Sequence, residues 1–214
     1  MSDLVTCEDG KTRCNFRVND PIFTHYHDTT FGRPTTDDIY IFRKICFEIF
    51  ASGLSFHGVL TKAAIFDEAY NNFDMNLVAA YGDADVERLM QDARLVRNKV
   101  KITAVINNAR CALGLVDKFG SLAAFLWQYE PDPATRPDPV TAETLRTNTQ
   151  SVYSERLARD LKAHGFKFVG PVSMYGVLQG CGLINDHFEG CDFRAPCAAE
   201  RAVFTVPQPP VNAS

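Results

Sequence analysis

The chain has 214 residues, 46% of them hydrophobic and 22% charged, with a formal net charge of −4. That is enough apolar material for one large or two small soluble domains, and the charge gives no global pull toward polyanions, so nucleic-acid binding would need a local basic face. No apolar run approaches the roughly 18 residues that span a bilayer and the first residues lack a leader pattern, so no membrane association and a cytoplasmic location are expected. Seven cysteines, an odd number, fit reduced thiols plus a metal better than a disulfide framework.

Helix follows helix with little β signal, which predicts an all-α fold. Thr36, Asp37 and Asp38 can cap a helix over 39–50, where apolar positions recur at helical spacing and acids sit at the positive end of the dipole. Ser52-Gly53-Leu54-Ser55 breaks it. A second helix is predicted over about 56–70, a third from Asp83 through Met90 and a fourth over 101–115. Another over 151–164 stops at Gly165, and Pro171 opens a last one through Cys181. The stretch 130–148 carries Pro131, Pro133, Pro137 and Pro139 and reads as a long surface connection. Residues 1–12 and 198–214 read as disordered tails around a single domain at 13–197.

Two metal-ligand half-sites stand near opposite ends of this domain: Cys14 with His27, and His187 with Cys191. His-x3-Cys spacing brings both side chains to one side of a helical turn. Two thiolates and two imidazoles would fill a closed tetrahedral zinc site, a structural clasp joining the N- and C-terminal segments. A lone cysteine is more often a small buried hydrophobe, and Cys7, His25, Cys181 and Cys197 are rival ligands. One carboxylate stands out among apolar neighbours, Glu48, next to Phe47, Ile49 and Phe50; its burial would require a cationic or donor partner. The basic stretch Arg94, Arg97, Lys99 and Lys101 is the one local candidate for phosphate contact.

Several runs, read together, resemble the DNA-3-methyladenine glycosylase I family. They are Cys14-Asn15-Phe16, Asp20-Pro21, Tyr26-His27-Asp28, Phe31-Gly32-Arg33-Pro34, Glu48 followed by Ser52-Gly53-Leu54-Ser55-Phe56, Gly165-Phe166-Lys167-Phe168-Val169-Gly170-Pro171, and Asn185-Asp186-His187-x3-Cys191. The match runs in order from Cys14 to Cys191. The resemblance implies a helix-hairpin-helix DNA glycosylase fold with structural Zn2+ on Cys14, His27, His187 and Cys191. It also implies hydrolysis of the N-glycosidic bond of 3-methyladenine, or a related alkylated base, after base flipping in double-stranded DNA, by a monomer with no other cofactor. Glu48 would then be the catalytic carboxylate contacting the base edge, with Tyr26, Phe16, Phe23, Phe31 and Phe56 around the base. Leu54 would fill the gap in the base stack, and Arg97, Lys99 and Lys101 would grip phosphates.

The chain departs from the pattern in its pocket. Phe16, Phe31 and Phe56 stand where the family usually has tryptophan and Phe23 where it has tyrosine; Arg94 and Val100 stand where it favours glycine. Tryptophan has the strongest cation–π face, so the alternative reading is a zinc-stapled alkylation-damage binding protein with weak or no excision. A zinc hydrolase is disfavoured because all four metal positions are filled.

Overall fold

The structure, a computed structural model, describes residues 2–211. Its elements, in order, are strands β1 (Leu4–Thr6) and β2 (Thr12–Cys14), then helices α1 (Pro21–Thr29), α2 (Asp38–Ala51), α3 (Phe56–Leu60), α4 (Ala63–Ala69), α5 (Met75–Ala79), α6 (Asp83–Gln91), α7 (Lys99–Phe119), α8 (Leu122–Leu126), α9 (Ala142–Thr147), α10 (Val152–Ala163), α11 (Pro171–Gly180) and α12 (Arg194–Val203). Short 3-10 turns link several of them.

Helix α2 is the axis of the fold. Ile41, Phe42, Ile45, Cys46, Phe47, Ile49 and Phe50 are all buried, and a helix apolar on most of its circumference has to be covered on most sides. Helices α3, α7 and α8 cover part of it and α11, which is backed by α10, covers another. Asp37 caps the start through the amides of Ile39 and Tyr40, while the Asp38 carboxylate crosses to the amides of Leu122 and Ala123 and so fixes α8 to the same end. The 21-residue α7 begins at Asn98, whose side chain accepts from the amides of Val100 and Lys101, and ends at Gly120 in the left-handed conformation.

The margins differ from expectation. Ordered structure extends through residues 4–14 and out to Val203, where disordered tails were expected at 1–12 and 198–214; residues 1 and 212–214 of those tails lie outside the described residues. The β1–β2 hairpin pairs Val5 with Arg13, and because a lone hairpin is marginal in water its order comes from outside: Thr12 and Asp192 bond each other through backbone and carboxylate, and Arg13 pairs with Asp28. In α12, Cys197 is buried, Arg201 makes a two-pronged pair with Glu130 and Phe204 packs on Trp127 with centroids 4.5 Å apart. The proline-rich connection also folds back: Val140 is buried beside Cys14 and Phe188, and α9 starts from a Thr141–Thr144 capping pair. The predicted helix over 56–70 is two, α3 and α4, broken at Thr61 and Lys62.

Among the described residues no helix is long and apolar enough to cross a membrane.

Candidate active site and Cys/His cluster

Helices α1, α2, α3 and α11 enclose a cavity of about 390 Å³ whose lining includes every ring anticipated from the sequence, Phe16, Phe23, Tyr26, Phe31 and Phe56, together with Glu48. Asp20 caps α1 through the amides of Ile22 and Phe23, which sets Phe23 and Tyr26 facing the cavity. Tyr26 lies 5.3 Å from Phe56, 6.0 Å from Phe23 and 6.1 Å from Phe31, centroid to centroid. The hydroxyl of Tyr26 is pushed well above its ordinary pKa, first by burial and then by the Glu48 carboxylate, so it remains a neutral donor. Cys181, behind the cavity, is pushed up to about 12 by burial and stays a thiol.

Glu48 is largely buried, and its partner is internal. Lys44, one turn earlier on α2, places Nζ 2.6 Å from Oε1, with 5% of the lysine and 13% of the glutamate side chain exposed. The same ammonium lies 3.8 Å from the Phe56 centroid and 5.6 Å from that of Tyr26, within cation–π range of both. Sequence reasoning missed Lys44. Two glycines on α11 make room for the pair: a Cβ on Gly176 would stand 2.6 Å from Glu48 Oε1, and one on Gly180 would stand 2.2 Å from Lys44 Cε. The far wall was also missed. Val172, Tyr175 and Gln179 of α11 and Leu145, Asn148 and Thr149 at the end of the proline-rich connection line it. Tyr175 and Gln179 donate to the fully buried Asp186, at 2.9 and 2.8 Å, and Arg136 pairs with the same carboxylate.

Asp186 precedes His187, and there the two sequence half-sites meet. Cys14, His27, His187 and Cys191 are all buried, with their ligand atoms within 4.8 Å of one another. His27 Nε2 and His187 Nδ1 are 3.1 Å apart, and Cys191 Sγ lies 3.8 and 3.6 Å from them. Metal–sulfur bonds of about 2.3 Å and metal–nitrogen bonds of about 2.0 Å give tetrahedral edges of this length. The outer nitrogens are already engaged: His27 Nδ1 with Asp28 at 2.8 Å and His187 Nε2 with the Phe31 carbonyl at 3.0 Å. That is how imidazoles are oriented toward a cation. Contact with Cys191 and burial raise the Cys14 thiol, whereas contact with Cys14 and the two imidazoles lowers Cys191. The rival ligands lie apart: Cys197 rests on the Phe31 carbonyl at 3.6 Å, and His25 is exposed.

The basic stretch divides. Arg97 and Lys99 are exposed at the turn between α6 and α7. Arg94, though exposed, is committed to Asp92 and Glu68. Lys101, expected to touch phosphate, is 6% exposed and donates to the carbonyls of Phe50 at 2.9 Å and Ser52 at 2.5 Å. Those carbonyls belong to the end of α2, so Lys101 ties the α2–α3 turn to the start of α7. Gly53 (φ +74°) turns the chain there, and Leu54 stands 63% exposed, outside the core. Val100 lies within α7 and neither it nor Arg94 has positive φ, so the loss of glycine at these positions costs no strain.

A helical domain holding an aromatic box with a carboxylate in its wall, beside an exposed apolar turn and, among the described residues, two cations in no ion pair, is the kind of site that suits a single planar base. The methyladenine glycosylase family profile matches residues 16–195. The chain is 38% identical over 179 residues to DNA-3-methyladenine glycosylase 1 of Escherichia coli, covering 84% of this chain and 95% of that one. A crystal structure of 3-methyladenine DNA glycosylase I superposes with a TM-score of 0.76 at 36% identity, over 84% of this chain and 98% of that one. A variant of such an enzyme in complex with 3-methyladenine gives 0.72 at 29%, over 82% and 93%. The chain belongs to the methyladenine glycosylase family.

Proposed function

We propose that this protein is a monofunctional base-excision repair DNA glycosylase that takes a flipped 3-methyladenine, or a related alkylated base, into the aromatic box and hydrolyses its N-glycosidic bond. The observation that carries this reading is Glu48, a carboxylate in the wall of an aromatic cavity in a chain of this family. In DNA 3-methyladenine is cationic, so breaking the C1′–N bond releases a neutral base, and water supplies the hydroxyl that C1′ gains while its other proton passes to solvent. The leaving group needs no added proton, and holding the base in place is most of the work. Flipping costs least for a damaged base, which adds selectivity. Incubating the protein with methylated DNA and identifying released bases by chromatography tests the reading. A damage-binding protein without excision is the second reading, favoured by the four phenylalanines and by Lys44, which sets a positive charge on the Phe56 and Tyr26 faces. Methylated DNA retained without release of base would establish it.

The Cys14, His27, His187 and Cys191 cluster holds a structural Zn2+ in this reading, supported by donor type, spacing and the occupied outer nitrogens. The clasp joins β2 and α1 to the loop before α12, and α1 carries Phe23 and Tyr26, so the metal holds one wall of the box. The protein acts as a cytoplasmic monomer on double-stranded DNA. The α6–turn–α7 unit serves as the helix-hairpin-helix grip, with Arg97 and Lys99 on phosphates and Leu54 in the base stack, while Lys101 positions Leu54 against that grip.

Two expectations follow from these assignments. The Arg97/Lys99 double alanine variant should bind all duplexes more weakly to a similar degree, with its salt slope reduced by about two, one per lost contact; an unchanged slope in fluorescence anisotropy places the DNA on another face. In Gly176→Ala the new Cβ meets the Glu48 carboxylate while the helix gains up to about 1 kcal/mol of propensity. Melting should therefore change little, while affinity for free 3-methyladenine drops about tenfold. Equal affinity in calorimetric titration would mean that the carboxylate is not in contact with the base.

A further inference from the structure

From the placement of the Lys44 ammonium we infer that Lys44 is a specificity-determining residue, a built-in counter-cation that makes the pocket accept neutral as well as cationic alkylated purines. The inference rests on the base-binding reading of the cavity. A pocket selects a cationic base through an unpaired carboxylate and unoccupied aromatic faces. Here both are already engaged by one ammonium, 2.6 Å from Glu48 Oε1 and 3.8 Å from the Phe56 centroid.

The arrangement is built into two helices. Lys44 and Glu48 are one turn apart on α2, and they face Gly180 and Gly176, one turn apart on the packed α11. An alanine at Gly180 would collide with the lysine stem, and one at Gly176 with the carboxylate. Lysine preceding glutamate is the weaker order for a pair four residues apart on a helix, so helix electrostatics alone do not explain an almost fully buried lysine. The glycine cleft and the ring faces do. A cationic base entering the box meets a like charge on the faces it would use and shares Glu48 with it. A neutral base meets an ammonium that can donate to a ring nitrogen and a carboxylate that can accept from an exocyclic amine.

The test compares 3,9-dimethyladeninium, whose charge is fixed, with 3-methyladenine at pH 8, where the free base is neutral. Dissociation constants are measured calorimetrically for the wild type, Lys44→Met and Lys44→Gln. Glutamine keeps a donor for Glu48 and serves as the folded variant should methionine destabilise the helix pair. The wild type is expected to favour the cation by no more than about threefold, and loss of the ammonium to raise that preference by about tenfold or more. A preference unchanged within about twofold in the folded variants, with the wild type still releasing alkylated base from methylated DNA, overturns the role of Lys44 alone. No binding of either probe and no released base in any form of the protein overturns the pocket reading and this inference together.

Discussion

Glu48→Gln is expected to lower excision of 3-methyladenine from methylated DNA by about tenfold or more, at least about 1.4 kcal/mol of transition-state stabilisation. The amide keeps the shape of the carboxylate and its oxygen still accepts from Lys44, but the charge facing the base is gone. Deleting one member of a buried ion pair outright costs about 3–5 kcal/mol. The isosteric change keeps the hydrogen bond, so the protein should stay folded with a melting temperature only a few degrees lower. Single-turnover release of base, followed by chromatography, is the readout. Equal rates for the two proteins would remove Glu48 from the chemistry and leave the Lys44–Glu48 pair a purely architectural one.

Cys191→Ala should cost the most stability. Zinc in sites of this donor type contributes roughly 10–16 kcal/mol in small domains, comparable to the whole stability of an ordinary protein. Losing even about 3 kcal/mol of that lowers the melting temperature by roughly 6–12 °C at this chain length. Metal content by atomic emission and melting by circular dichroism should fall together, and a chelator should reproduce the effect in the wild type. Cys197→Ala is the control, because its thiol lies outside the cluster on the Phe31 carbonyl, and it should retain full metal. A Cys191→Ala protein with unchanged metal and unchanged melting would show that packing alone holds the four side chains together.

The long helices were legible because their signals are local. Residues of α2, α7, α10 and α11 carry helical apolar spacing with a cap or a proline at one end, and each lies within a few residues of its predicted bounds. The misses share a different cause. Helices α5 and α8 are five residues long, too short for periodicity to register. The β1–β2 hairpin and α12 are ordered by distant partners, Asp192 for the first and Glu130 and Trp127 for the second, and no window of sequence shows those. Helix α9 hides among prolines although its Thr141 cap is a readable signal.

The site divides in the same way. The four Cys/His positions were legible as two ligand half-sites and the five rings through motif resemblance, and the fold brings each set together. Lys44 escaped because a lysine in an apolar helix reads as a stem snorkelling to solvent. What buries it is a pair of glycines more than a hundred residues later in the chain. Lys101 was misread for the converse reason: a lysine in a basic run looks free, yet its ammonium is used up by two carbonyls.

Those two bonds from Lys101 bear on how a lesion could be found. They tie the turn carrying Leu54 to the first turn of α7, so the proposed wedge and the proposed phosphate anchor would move as one piece. On the proposed reading the duplex would do the deforming, and the sites that yield most readily, where an alkylated base has already loosened its pairing, would be the ones that come into register with the box. Search would then be a mechanical test of the DNA, made before any chemical group on the base is touched.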